Sequence, residues 1–193
     1  MELSANTLSL LESFDVDPVR GFLPSKDPLL RLPQQELQPW EDLVNAIPEL
    51  LVAGQASKVL DDLTVLPVGL LQNKEERMRA LLLLSVLAHA YVWGRVDKPH
   101  DTIPQGVAVP LHALAKGEGM PPVLTHLSIV LSNWRRLDPM GPLSVENLAC
   151  NCLFLGGQDE AWFYMVTVEI EARGGGMCGA LLQVRGLPQA APL

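Results

Sequence analysis

Residues 73–94 read NKEERMRALLLLSVLAHAYVWG, and this stretch decides the fold class. Asn73 is an N-cap residue type, and the two polar turns behind it make a natural helix entry. From Ala80 to Trp93 the helix is apolar on every side, which suits an interior position and not a surface one. A membrane-spanning helix needs roughly 20 apolar residues. This run is shorter and contains His89, so it predicts a buried core helix ended by Gly94.

Outward from this helix, the chain is punctuated by proline. Residues 1–36 contain Pro18, Pro24, Pro28 and Pro33 and predict an irregular arm, because proline removes backbone donors and restricts its predecessor. PWEDLVNAI from Pro39 and PELLVAG from Pro48 predict two short helices, the second closed by Gly54. Residues 56–71 predict one more, broken at Pro67. The segment 95–120 predicts a loop with Pro99, Pro104 and Pro110, including the strand-like VAVPL. PPVLTHLSIVLSNW, residues 121–134, predicts a helix with the stripe Val123, Leu127, Val130, Leu131 and Trp134. Residues 143–155 alternate loosely and leave room for a small strand pair. A last helix runs from Asp159 to Glu171, and the glycines at 174–176 mark its end. The fold class is mainly α, with short helices joined by proline-rich loops.

Composition narrows the function classes. The 193 residues carry 14 Lys and Arg against 22 Asp and Glu, a net charge of −8. With no basic stripe, the electrostatic footprint of a nucleic-acid binder is missing, and an acidic surface disfavours anionic membranes. MELSANTLSLLESFDVD lacks the basic start of a secretory signal. Three cysteines form no disulfide framework and suit a reducing cytoplasm.

Few residues announce chemistry. Cys150 and Cys152 have a short metal-like spacing, but a tetrahedral zinc site needs four ligands and no histidine lies nearby in sequence. They read as two ordinary thiols of an extended segment. His89 reads as a core histidine, and His100 and His112 as solvated loop residues. His126 lies among apolar and small residues, which predicts partial burial and leaves a structural and a cavity-lining role equally open. Glu169 and Glu171 fall on different helix faces and read as a solvated or salt-bridged set rather than a catalytic pair.

Four segments in order carry a resemblance. Ala90-Tyr91-Val92-Trp93-Gly94 is followed by Ile103-Pro104 with Val107-Ala108-Val109-Pro110, then PPVLTHLSIVLSNWRRLDP at 121–139 and DEAWFYMVTVEIEA at 159–172. With the LP…PW start near residues 32–40, they resemble the small N-terminal domain of indoleamine 2,3-dioxygenases over roughly residues 15–173. Behind the irregular arm at 1–36, the resemblance implies a small distal-side domain at 37–173 and a divergent or truncated tail at 174–193. It also implies haem b as cofactor, and cleavage of the C2–C3 bond of L-tryptophan or a related indoleamine by dioxygen to give N-formylkynurenine.

Residue by residue, the resemblance places His126, Ile129, Val130, Phe163, Tyr164 and Thr167 in the distal pocket. His126 stands where many members have tyrosine, though some relatives carry histidine. The proximal histidine that ligates iron, and the arginine for the substrate carboxylate, belong to a C-terminal domain. None of the four histidines matches that ligand, so this chain offers no catalytic residue or metal ligand of its own. Alone, it is not expected to hold haem in a working state. The alternative is a catalytically inactive form that acts as an interaction or regulatory partner.

Overall fold

In the computed structural model, which describes residues 3–95 and 97–185, helix α4 (Lys74–Trp93) forms the centre. Asn73 caps it by accepting the Glu76 amide at 2.9 Å, while the Glu76 carboxylate reaches back to the Gln72 amide at 2.7 Å. This reciprocal cap satisfies two donors at the helix entry. Every residue from Ala80 to Ala88 is buried. The expected interior helix is therefore present, packed against α2 (Gln38–Val52), α3 (Ala56–Asp61), α5 (Gln105–Gly117) and a π-helical turn, Leu127–Leu131.

Several segments differ from expectation. The arm is not wholly irregular: Ser4 caps helix α1 (Ala5–Ser13), which precedes the first proline of the arm and packs on α6 (Gln158–Arg185). The two short helices from Pro39 are one helix, α2, with Pro48 inside it. One backbone bond is lost at Pro48, but Trp40, Val44 and Ile47 bury a continuous stripe that holds the helix together. VAVPL is not extended either. It lies in α5, where Val107, Leu111, Leu114 and Ala115 form a buried face at helical spacing.

Residues 121–134 shrink from the expected helix to the single π turn. Thr125 and Ser128 cap each other's amides at 3.0 and 3.2 Å, which starts the turn. Asn133 ends it, because its side chain behaves as a piece of strand. Its Oδ1 accepts the Cys152 amide at 2.8 Å and its Nδ2 donates to the Cys152 carbonyl at 2.9 Å. The chain then enters β1 (Trp134–Arg136), antiparallel to β2 (Leu148–Cys150), with Trp134 opposite Cys150. This is the small strand pair.

Helix α6 passes straight through the three glycines to Arg185, whereas the sequence suggested an end there. The reason is a crossing. A Cβ on Gly175 would lie 2.5 Å from Arg20 C and in contact with the Val19 carbonyl, and one on Gly21 would lie 2.8 Å from the Gly175 Cα. Gly21 itself has φ +65°, a left-handed conformation that favours glycine. The glycines thus mark where the arm crosses the helix. Residues 186–193 of the expected tail lie outside the described residues.

One buried ion pair ties the layers. Arg79 on α4 donates to both carboxylate oxygens of Glu41 on α2, at 3.1 and 2.6 Å, and Glu41 also accepts the Leu32 amide of the arm at 2.8 Å. Among the described residues, no helix is long and apolar enough to cross a membrane.

Candidate functional site

The π turn and α6 pack against one another, which brings five of the six expected pocket residues onto two touching elements, with His126 immediately before the turn. Their exposure divides them. Ile129 and Val130 are buried in the core they share with Met165 and Val168. Tyr164 and Thr167 are half-buried. Phe163 is 71% exposed, and His126 is exposed rather than partly buried. His126 precedes the first residue of the turn, and its side chain makes no capping bond to it.

Local bonds fix the α6 side of this face. Glu160 accepts the amides of Phe154, Leu155 and Gly156 at 2.7, 2.8 and 3.2 Å, so a carboxylate locks the loop entering the helix. The Tyr164 hydroxyl donates to Glu160 at 3.4 Å. Burial, reinforced by the Glu160 charge, pushes the Tyr164 phenol up to about 12. The Phe163 and Tyr164 rings meet edge to face with centroids 5.7 Å apart. Thr167 donates its hydroxyl proton to the Phe163 carbonyl at 2.9 Å, leaving its oxygen lone pairs free to accept.

Phe163 heads a longer feature that sequence reading missed. Phe163, Ile170, Met177 and Val184 are spaced by seven residues and all exposed, with Val166 and Leu181 beside them. Residues seven apart lie nearly two turns along one side of a helix. The result is an open apolar face about twenty residues long. The signal was readable as periodicity, but the glycines at 174–176 concealed that the helix continues.

The remaining candidates separate cleanly from this face. Cys150 donates to the Ala161 carbonyl, while Cys152 is buried against Arg79. Burial, with Glu160 and Cys152 adding to it, pushes the Cys150 thiol up to about 12. Burial pushes Cys152 up to about 11 against the opposing pull of Arg79. His89 is exposed, not a core histidine, and stacks near Phe154 and Trp93 with centroids 5.4 and 6.4 Å away. It takes the one side of α4 that the core leaves uncovered. His112 is exposed, but on α5 rather than a loop, and His100 stacks on Tyr91 at 4.5 Å. Glu169 accepts the Val145 amide at 2.7 Å and pairs with Arg173, as a salt-bridged acid does.

Chemically, the turn and α6 present carbon surface with one imidazole and one hydroxyl acceptor. That donor set fits one face of a flat apolar macrocycle and an aromatic ligand lying on it. Among the described residues, no group of three or more His, Cys, Asp or Glu is arranged to hold a metal ion.

Comparison with known proteins places the chain. The family profile "Indoleamine 2,3-dioxygenase" matches residues 10–187. An indoleamine 2,3-dioxygenase of Aspergillus nanangensis is 37% identical over 177 residues, covering 89% of this chain and 43% of the relative. The indoleamine 2,3-dioxygenase of Saccharomyces cerevisiae is 35% identical over 185 residues, with coverage of 92% and 41%. Indoleamine 2,3-dioxygenase 2 of Homo sapiens is 34% identical over 162 residues, with coverage of 83% and 39%. The chain spans about two fifths of the length of the relatives it matches. With a match across nearly its whole length, the chain belongs to the indoleamine 2,3-dioxygenase family.

Proposed function

We propose that this chain forms the distal wall of a haem-dependent dioxygenase pocket for L-tryptophan or a related indoleamine, in a reducing cytoplasm. A further helical unit docks on the open face of α6. Residues 37–173 make the distal-side unit, with the arm strapped across it. The observation that carries this reading is the exposed apolar face from Phe163 to Val184, on the helix that packs against the His126 turn. Isolated chains rarely leave so long a contiguous apolar face uncovered unless it is a binding surface.

Within this pocket, haem b supplies dioxygen activation when bound, and both oxygen atoms end in the opened ring of N-formylkynurenine. The chain's own residues bind, orient and exclude water. Phe163 packs against the indole, while Val130 and Ile129 form the carbon floor behind it and keep water out. Thr167 offers its free lone pairs to a donor such as the indole N–H. His126 provides one polar contact at the rim. The residue that would hold the iron, and the partner for the substrate carboxylate, would come from the docked unit.

The test supplies that unit in trans. The C-terminal part of the yeast relative, co-expressed with this chain, should give a complex with a stable Soret band that converts L-tryptophan to N-formylkynurenine. Phe163→Ala should lower its kcat/KM at least tenfold. The chain mixed alone with hemin should give no histidine-ligated spectrum. A tight histidine-ligated haem on the isolated chain would overturn the assignment of the ligand to the docked unit.

The same open face favours a second reading, in which the chain pairs with a full-length relative without catalysing anything. Size exclusion after co-expression with the full-length yeast protein separates the two. A stable complex, together with an inactive trans-complemented pair, supports the second reading; a chain that stays monomeric there removes it.

A further inference from the structure

A cavity of about 760 Å³ lies under the N-terminal arm. None of the six residues of the α6 wall lines it. The arm roofs it, the first turns of α4 and the segment after α5 make its sides, and Leu23, Met78, Met120 and Leu127 give it carbon surface. Its size falls within the range of small-molecule sites.

Two features of its polar lining select a ligand. Ser132 is only 7% exposed and lines the cavity, yet its hydroxyl makes no hydrogen bond to any described residue. The hydroxyl keeps some exposure on the cavity side and is free to bond a group placed there. The second feature is charge. Every cation of the lining is committed: Lys26 to Glu75, Lys74 to Asp15 and Arg79 to Glu41. Asp27 is held by Arg20 and Arg136, and Glu118 by Arg77.

Two lining carboxylates, Glu12 and Asp17, have no cation partner among the described residues. Asp17 spends one oxygen on the Val19 and Arg20 amides, both at 2.8 Å, and keeps the other. The cavity thus holds spare negative charge and no spare positive charge. Carboxylates and phosphates are disfavoured there, and a protonated amine is welcomed.

We propose that this cavity is a second small-molecule site, separate from the α6 wall, that takes an organic amine with a compact apolar body. The ammonium meets Glu12 and Asp17, the apolar body lies on Leu23, Met78, Met120 and Leu127, and a polar substituent can reach Ser132.

A matched pair of probes tests this on the 193-residue chain by isothermal titration calorimetry. 4-Phenylbutylamine should bind at least tenfold more tightly than 4-phenylbutyrate, which has the same apolar body and the opposite charge. Glu12→Gln, on the exposed side of α1, should weaken the amine three- to tenfold, and Ser132→Leu should weaken it further by filling the space. Should Ser132→Leu fail to fold, Glu12→Gln still decides, with Phe163→Ser as its control. No amine binding at millimolar concentration, equal binding of both probes, or binding lost in Phe163→Ser but kept in Glu12→Gln would each overturn the proposal.

Discussion

Glu41 and Arg79 meet in the buried interior, with side chains 1% and 4% exposed. A buried pair of this kind adds little over a well-packed apolar replacement, but breaking it strands a charge at a cost of about 3–5 kcal/mol. Glu41→Gln should therefore destabilise the chain by that order, and the double variant Glu41→Leu with Arg79→Met should recover most of the loss. Denaturant unfolding of the three proteins measures it; equal losses in single and double variants would contradict the account. The cysteines give another residue-scale outcome. The thiolate is the reactive species, and both Cys150 and Cys152 are pushed far above neutrality by burial. At pH 8, iodoacetamide should modify neither until denaturant is added, as peptide mass mapping would read.

Among the elements, α6 is the informative one. Glycine inside a helix costs about 1 kcal/mol relative to alanine. A Cβ at Gly174 or Gly176 meets nothing within 4 Å, so Gly174→Ala and Gly176→Ala should each stabilise the chain by up to about 1 kcal/mol. Gly175→Ala must push the arm away and should destabilise by about 1–3 kcal/mol, the usual cost of overpacking. Thermal melts of the three single variants decide this, and the same sign for all three would remove the crossing as the explanation. The face of α6 lends itself to a separate experiment. Ile170→Glu with Met177→Glu alters only exposed positions, so the melting temperature should hold. Binding of the yeast C-terminal part should be lost.

Across the whole molecule, acid should weaken the fold through His89. Although exposed on one side, its ring is partly desolvated beside Phe154 and Trp93, which lowers its pKa below the ordinary histidine value. Between its folded pKa and about pH 6.5, the unfolded chain binds the proton and the folded chain resists it. Stability is then complete above about pH 6.5 and declines as pH falls below it. His89→Gln should flatten part of that decline in denaturation curves taken at pH 7.5 and 5.5. An unchanged slope would assign the acid sensitivity to other groups.

The interior helix at 74–93 could be read directly, because an apolar run with a polar capped entry has one economical solution, burial on all sides. Family membership was legible too, in four ordered blocks whose residues fold into α4, α5, the π turn with β1, and α6. Other elements depended on partners far along the chain. Whether VAVPL is extended or helical turns on the core it faces, and whether 121–134 stays helical turns on Asn133 finding the Cys152 backbone. The three glycines look like a helix end until Val19–Gly21 is laid across them. Local chemistry by itself determined the buried centre and the acidic character. Only the tertiary structure decided which of those residues face outward, that α6 continues as an open apolar face, and that a cavity with spare carboxylates lies under the arm. Exposure and cavities arise between segments distant in sequence, and no local pattern encodes the space they leave.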